Sequence, residues 1–334
     1  MSERRPLVGV SDSVFPNLEP AREQVSRIGA ELRLAEKPTP EAILQAAREA
    51  DGLLVTYAKI TSDLIDQMPR CRILARFGIG VDNIDVPAAT KAGIVVTNVP
   101  DYCLDEVSDH ALALLLALAR KITLANSRAH AGHWELPPLV PIGRLRGSVL
   151  GLAGFGRIPQ HLAPKAKALG MRVVASDPYL SKEAMAGHDA EKVEFSELVK
   201  ISDFISVHAP LVPETQGLFN AAIFAQMKPT AYLVNTARGP LVDIAALVQA
   251  LDRGQLAGAA LDVLPEEPPK NSPLFGRDNV ILTPHMSFYS VESLVELQTK
   301  AAQDVVRVLS GEPPRNPINR EVLQPGKQRT ISAA

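Results

Sequence analysis

The chain has 334 residues, 46% of them apolar and 22% charged, the balance of a folded globular protein of about two domains. Its 35 Lys and Arg against 37 Asp and Glu leave a formal net charge of -2, which excludes a generally basic, nucleic-acid-coating protein. Two cysteines, Cys71 and Cys103, make neither a disulfide framework nor a paired zinc site and read as reduced thiols.

The N-terminus passes from Arg4 and Arg5 straight into an apolar run, with no signal-peptide core. Strands are predicted at 7–10, 53–56, 73–76 and 94–97, with helices at 19–28, 40–50, 61–68 and 86–92. Strands separated by helices imply βαβ units and a parallel sheet, here one small α/β unit. A long helix is predicted next, over 106–125, with Val107, Ala111, Leu114, Leu115 and Leu118 at helical spacing. From 111 to 119 it is apolar nearly all round, which predicts cover on both sides. That stretch is well short of the roughly 18 residues that span a bilayer, so a cytoplasmic protein with no membrane partner is expected. Residues 129–146 are rich in Pro and Gly, hold the single tryptophan, Trp134, and read as a connecting arm.

A second alternating series begins at Ser148. Strands are predicted at 149–153, 172–176, 204–208, 231–235, 258–262 and 280–283, and helices at 157–169, 195–200, 221–227 and 244–253. The last helix, 291–309, puts Leu294, Leu297, Ala301, Val305 and Leu309 on one face. After Gly311 the chain is Pro-rich and then polar, and is expected to fray.

The sharpest local signal is Gly151-Leu152-Ala153-Gly154-Phe155-Gly156-Arg157-Ile158-Pro159, where a predicted strand meets a predicted helix. Gly154 permits a tight turn, and Gly156 lets the backbone approach a pyrophosphate seated on the helix N-terminus. Asp177 ends the following strand, where a carboxylate hydrogen-bonds an adenosine ribose and repels a 2′-phosphate; this favours NAD over NADP. Pro159 stands where the third glycine of such motifs falls, and Pro164 is expected to kink the helix. Without that context, two glycines are only a turn.

Ligands of an open α/β sheet bind beyond the carboxyl ends of its strands. Here those ends carry His208 and Pro210, then 235–239 with Arg238, then Asp262 with Glu266 and Glu267 behind it, then His285. A guanidinium can hold a carboxylate and polarise a carbonyl. A carboxylate beside an imidazole favours the imidazolium and fixes its tautomer, and an imidazolium can protonate a carbonyl under reduction. Singly, each residue also reads as a salt bridge, a solvated turn or a capping histidine; it is their placement together that points to chemistry. His110, His130, His133 and His161 lack this context and read as structural. No group has metal-ligand spacing.

Together these stretches resemble the D-isomer-specific 2-hydroxyacid dehydrogenases over nearly the whole chain. The likeness is carried by Arg76-Phe77-Gly78-Ile79-Gly80-Val81-Asp82-Asn83-Ile84-Asp85, the glycine loop, Asn235–Gly239, Ala260-Leu261-Asp262-Val263, Glu266-Glu267-Pro268-Pro269 and Thr283-Pro284-His285. Asn98-Val99-Pro100-Asp101-Tyr102-Cys103 and the residues after His285 look most like the branch with C-terminal-binding proteins and phosphoglycerate-dehydrogenase-like relatives, although Phe288 stands where the former have tryptophan.

The resemblance implies an α/β protein of two Rossmann-like parallel-sheet domains. A discontinuous substrate domain, 1–102 with 287–334, surrounds an inserted NAD-binding domain, 103–286. Arg238, Glu267 and His285 become the catalytic three. The backbone of Gly78, Ile79 and Gly80 goes to the substrate carboxylate, together with Arg238. Gly154, Gly156, Arg157, Ile158, Asp177, His208, Pro210, Thr215, Thr236 and Ala237 go to NAD, and Asp262 goes to its carboxamide.

The expected activity is interconversion of a 2-oxo acid and a D-2-hydroxy acid by hydride transfer. The competing reading is an NAD(H)-sensing, corepressor-like module; NADH oxidation against a panel of 2-oxo acids separates the two. A cleft with hinges near 100–104 and 286–290 is expected, as is a homodimer built from the 106–125 helix and the 129–146 arm.

Overall fold

The structure is a computed structural model and describes residues 4–329. Its contacts divide the chain into two units. One takes the chain up to Tyr102 and again from Ser290; the other is Cys103–Tyr289.

The first unit holds β1 (Leu7–Val10), β2 (Glu31–Leu34), β3 (Gly52–Val55), β4 (Ile73–Arg76) and β5 (Val95–Thr97) in a parallel sheet of order β2-β1-β3-β4-β5. Strands β1, β3, β4 and β5 are buried along their length, as their mainly apolar runs require when helices cover both faces; Arg76 and Thr97 are the polar residues at the ends of β4 and β5. Strand β2 has no such run: only Leu32 is buried in Glu-Leu-Arg-Leu, and it sits on the sheet edge.

Helix Val291–Leu309 opens with a capping box between Ser290 and Ser293. It lays Leu294, Leu297, Ala301, Val305 and Val308 into the core, against the Glu19–Ser26 helix and strands β3 and β4. From Gly311 to Arg329 the chain does not fray as expected; residues 330–334, which the same expectation covers, lie outside the described residues. Asp304 accepts the Arg315 N–H at 2.9 Å, and Asn319 accepts the Val96 N–H at 2.8 Å while donating to the Ile94 carbonyl at 2.9 Å. Arg329 donates to the Met68 carbonyl at 2.7 Å. These side-chain bonds to backbone add to the burial of Val322, 1% exposed, in ordering the segment.

The second unit holds β6 (Val149–Ala153), β7 (Arg172–Ser176), β8 (Glu191–Lys192), β9 (Phe204–Val207), β10 (Tyr232–Asn235), β11 (Gly258–Leu261) and β12 (Val280–Leu282). All are parallel, in order β12-β11-β10-β9-β6-β7-β8. The long helix predicted over 106–125 is two helices, Leu104–Ala119 and Ile122–His130, broken where Lys121 takes a left-handed φ of 50°. The apolar band of the first is covered by its own unit, on one side by the Arg157–Ala168 helix and on the other by β10 and β11. The second helix buries none of its residues. Helix Arg157–Ala168 runs on through Pro164. Among the described residues no helix is long and apolar enough to cross a membrane.

Candidate active site

Because the seven strands are parallel, their carboxyl ends lie along one edge. The chain leaves the central β6 outward to β7 and β8, then returns to β9 on the other side and runs outward to β12. The crevice between β6 and β9 is therefore the switch point at which such sheets bind ligands.

The glycine loop stands at that crevice. Gly154 has φ +91°, and a Cβ there would lie 2.7 Å from the Ala209 nitrogen and 2.8 Å from the His208 carbonyl carbon, so the loops after β6 and β9 touch. Gly156 is the N-cap of helix Arg157–Ala168 and gives it no side-chain cap; a Cβ there would enter open space, with nothing within 4 Å. Arg157 and Ile158 are the first two helical residues, where backbone N–H groups point out of a helix. Asp177 is fixed beside this mouth: its Oδ2 accepts the Phe155 N–H at 3.0 Å and its Oδ1 the Tyr179 N–H at 2.9 Å. Thr236 Oγ1, after β10, is buried with no hydrogen-bond partner in the protein. An uncapped helix start, open space over a glycine, a fixed carboxylate and an orphaned hydroxyl form a donor set that fits a dinucleotide.

Other residues assigned to the cofactor hold their own loops. Thr215 Oγ1 donates to the Pro210 carbonyl at 2.6 Å and accepts the Val212 N–H at 3.0 Å. His208 Nε2 lies 2.8 Å from Ser206 Oγ, and burial pushes its pKa down to about 3, so the ring is neutral. Ala237 donates its N–H to Asn235 Oδ1 at 3.0 Å, while Asn235 Nδ2 donates to the Arg238 carbonyl at 2.9 Å. Fully buried Asn235 thus shapes the loop that presents Arg238, a role the sequence did not reveal.

Beyond the ends of β11 and β12 the structure brings Glu267 and His285 together. His285 Nδ1 lies 2.6 Å from Glu267 Oε2, and Glu267 Oε1 accepts the Leu264 N–H at 2.8 Å. The Phe288 ring stands edge-on to the imidazole, with centroids 6.2 Å apart. His285 has φ 49°, an uncommon conformation for a residue with a side chain. Asp262, 1% exposed, holds this turn: its backbone carbonyl accepts the His285 N–H at 2.8 Å. Its carboxylate accepts Thr283 Oγ1 at 2.6 Å, the Met286 N–H at 3.0 Å and the Ser287 N–H at 2.9 Å. His110 Nε2 reaches Thr283 Oγ1 at 3.1 Å. His110 stands on the helix beside the buried Val107, Ala111 and Leu114, but nothing in the sequence pointed to its partner.

In the first unit, the loop of Gly78, Ile79 and Gly80 follows β4. The Ile79 carbonyl accepts from Asn98 Nδ2 at 2.7 Å and the Gly78 carbonyl from the Val99 N–H at 3.0 Å. Buried Arg76 backs the loop, donating to Asn83 Oδ1 at 3.2 Å and to the Phe77 carbonyl.

Residues 112–287 match the family profile described as D-isomer specific 2-hydroxyacid dehydrogenase, NAD binding domain. The glyoxylate reductase of Thermococcus litoralis is 40% identical over 293 residues, 86% of this chain and 88% of that protein. The D-3-phosphoglycerate dehydrogenase of Methanocaldococcus jannaschii is 40% identical over 291 residues, 86% of this chain but 55% of that protein, so the chain spans just over half of its length. The solved D-lactate dehydrogenase of Aquifex aeolicus, complexed with NAD and lactic acid, matches with a TM-score of 0.84 at 26% identity, covering 94% of this chain and 99% of that one.

Proposed function

The chain belongs to the D-isomer-specific 2-hydroxyacid dehydrogenases, and from that premise we propose that it reduces a small 2-oxo acid with NADH through His285, Glu267 and Arg238. The observation that carries this reading is the 2.6 Å contact between His285 Nδ1 and Glu267 Oε2. A carboxylate at Nδ1 fixes the ring in one orientation and leaves Nε2 for the substrate oxygen, which is protonated from that nitrogen. Arg238 binds the substrate carboxylate and polarises the adjacent carbonyl, as a planar fork of donors can. Bound NADH supplies the hydride. In the reverse direction His285 takes the hydroxyl proton.

The second unit binds the dinucleotide, with Gly156, Arg157 and Ile158 at its pyrophosphate, Asp177 at its ribose and Thr236 in its cleft. The first unit binds substrate, with backbone N–H groups of Gly78, Ile79 and Gly80 on the carboxylate. Asp262 keeps lone-pair capacity on Oδ2 for one further donor, which suits a carboxamide. A second copy of the chain covers the Ile122–His130 helix and the 129–146 arm, where Ile122, Leu136 and Val140 are exposed and Trp134 is 90% exposed. Sedimentation of Trp134→Ser should show a shift toward monomer; a wild-type monomer would end the dimer proposal.

The test of the activity is NADH oxidation by purified protein against glyoxylate, pyruvate, hydroxypyruvate and its phosphorylated form, and branched 2-oxo acids. Turnover of one of them that is lost in His285→Ala supports the assignment. Unchanged turnover in that variant overturns it.

A further inference from the structure

His110 lies outside the residues so far given a role, on helix Leu104–Ala119, yet it ends in a chain of bonds that leads to the proposed acid. Its Nε2 is 3.1 Å from Thr283 Oγ1, and Thr283 Oγ1 is 2.6 Å from Asp262 Oδ1. His110 Nε2 itself is 3.6 Å from that oxygen, so the hydroxyl stands between them. A threonine hydroxyl has one proton. Here it goes to the carboxylate, and the hydroxyl oxygen can then only accept from His110. In the neutral ring this places the proton on Nε2.

What the chain of bonds holds is the turn after β12. Asp262 receives the Thr283 hydroxyl on the same Oδ1 that receives the Met286 N–H, and its Oδ2 receives the Ser287 N–H. These two N–H groups immediately follow His285, whose own backbone sits at φ 49°. A residue in that region persists only where its surroundings over-determine it. The buried carboxylate supplies that constraint, provided it is itself held in one orientation. Two backbone N–H groups pull it from the side of the turn; Thr283, steered by His110, holds it from the other.

We propose that His110 is a positioning residue: through Thr283 and Asp262 it fixes the backbone that aims His285. The proposal rests on His285 being the proton donor, but its geometric half does not. His110 reaches the cofactor side only through Asp262, so its effect falls on proton transfer more than on binding.

The test uses the full chain. His110→Leu removes the donor, His110→Gln keeps an amide N–H near the Nε2 position, and Thr283→Val removes the hydroxyl while keeping the shape. Thermal melts check that each variant folds, and NADH affinity is followed by fluorescence. His110→Leu and Thr283→Val should each lower kcat about 10- to 100-fold, the scale of a small misplacement of a reacting group, with NADH affinity within about twofold of wild type. His110→Gln should recover most of that loss. The His110→Leu/Thr283→Val double variant should be no worse than the poorer single variant, because both cut one path.

A double variant showing the product of the two losses would overturn the proposal. So would a His110→Gln no better than His110→Leu, or a loss confined to NADH affinity. Nitrogen NMR of the wild-type histidines tests the geometric half without turnover. His110 should carry its proton on Nε2 when neutral, and the His285 ring signals should move in Thr283→Val and in His110→Leu. The Nδ1-protonated form in wild type, or unmoved His285 signals in a folded variant, would overturn it. If wild type reduced no 2-oxo acid while these signals behaved as expected, the reaction assignment would fail and the strut would stand.

Discussion

The Glu267 carboxylate holds two parts of the site at once: Oε2 lies 2.6 Å from His285 Nδ1, and Oε1 accepts the Leu264 N–H at 2.8 Å. The oxygen that meets the imidazole is therefore fixed by backbone from the other side. His285→Ala should lower kcat by roughly 10²- to 10⁴-fold with NADH still bound, because it removes the proposed proton donor and not the cofactor cradle. Glu267→Gln should be milder, since an amide oxygen can still accept from Nδ1. Steady-state kinetics together with NADH titration check both; a Glu267→Gln more damaging than His285→Ala would place the charge, and not the orientation, first.

Asp177 is anchored by the Phe155 and Tyr179 N–H groups, so its carboxylate cannot easily swing away from a third phosphate. Wild type should strongly prefer NADH to NADPH. Asp177→Ala should narrow that preference, chiefly by weakening NADH. The ratio of kcat/KM for the two cofactors measures it, and equal use of both by wild type would remove Asp177 from the ribose.

The two glycines of the loop should fail differently. Gly154→Ala combines a left-handed φ of +91° with backbone 2.7 Å from the new methyl group, and should unfold the second unit or lower its melting temperature markedly. Gly156→Ala has φ -70° and nothing within 4 Å, so its melting temperature should stay near wild type. Its methyl occupies the space a pyrophosphate needs, so NADH affinity should fall. Normal NADH binding by folded Gly156→Ala would displace the pyrophosphate from this loop.

His208 gives a pH-dependent test of folding. Burial lowers its pKa from an ordinary 6.5 to about 3, so from pH 6.5 downward the unfolded chain takes up a proton that the native ring refuses. The stability present above pH 6.5 is lost progressively as pH falls toward 3, by about 2 kcal/mol at pH 5. Urea melts of wild type and His208→Gln at pH 5 and 7.5 should show the variant losing less between the two values. Equal losses would mean that the ring takes up its proton without unfolding.

Most of the buried strands were legible because a two-sided parallel sheet demands unbroken apolar runs, as in Leu7–Val10 and Val149–Ala153. Edge strands β2 and β8 escaped because Glu31, Arg33 and Glu191 face solvent and leave no such run. The break at Lys121 carries neither glycine nor proline, so nothing local announced it. Glu267 and His285 were legible as residue types at strand ends. Asn235, Asp262 and His110 were not legible in their supporting roles. Those depend on which backbone groups a side chain meets after folding, and in His110 and Thr283 the partners are 173 residues apart.

The split of the first unit between the two ends of the chain also orders events during synthesis. Strands β3 and β4 are covered by Val291–Leu309, a helix that reaches them only after all of the second unit has been made. At ~5–20 residues per second, the roughly 200 intervening residues take about 10–40 s to translate. Through that interval the apolar face of the N-terminal sheet waits uncovered, while the contiguous Cys103–Tyr289 can close on itself. The nascent chain should therefore acquire protease resistance first in its middle, and chaperones that shield exposed apolar strands should engage its beginning until Leu309 has emerged.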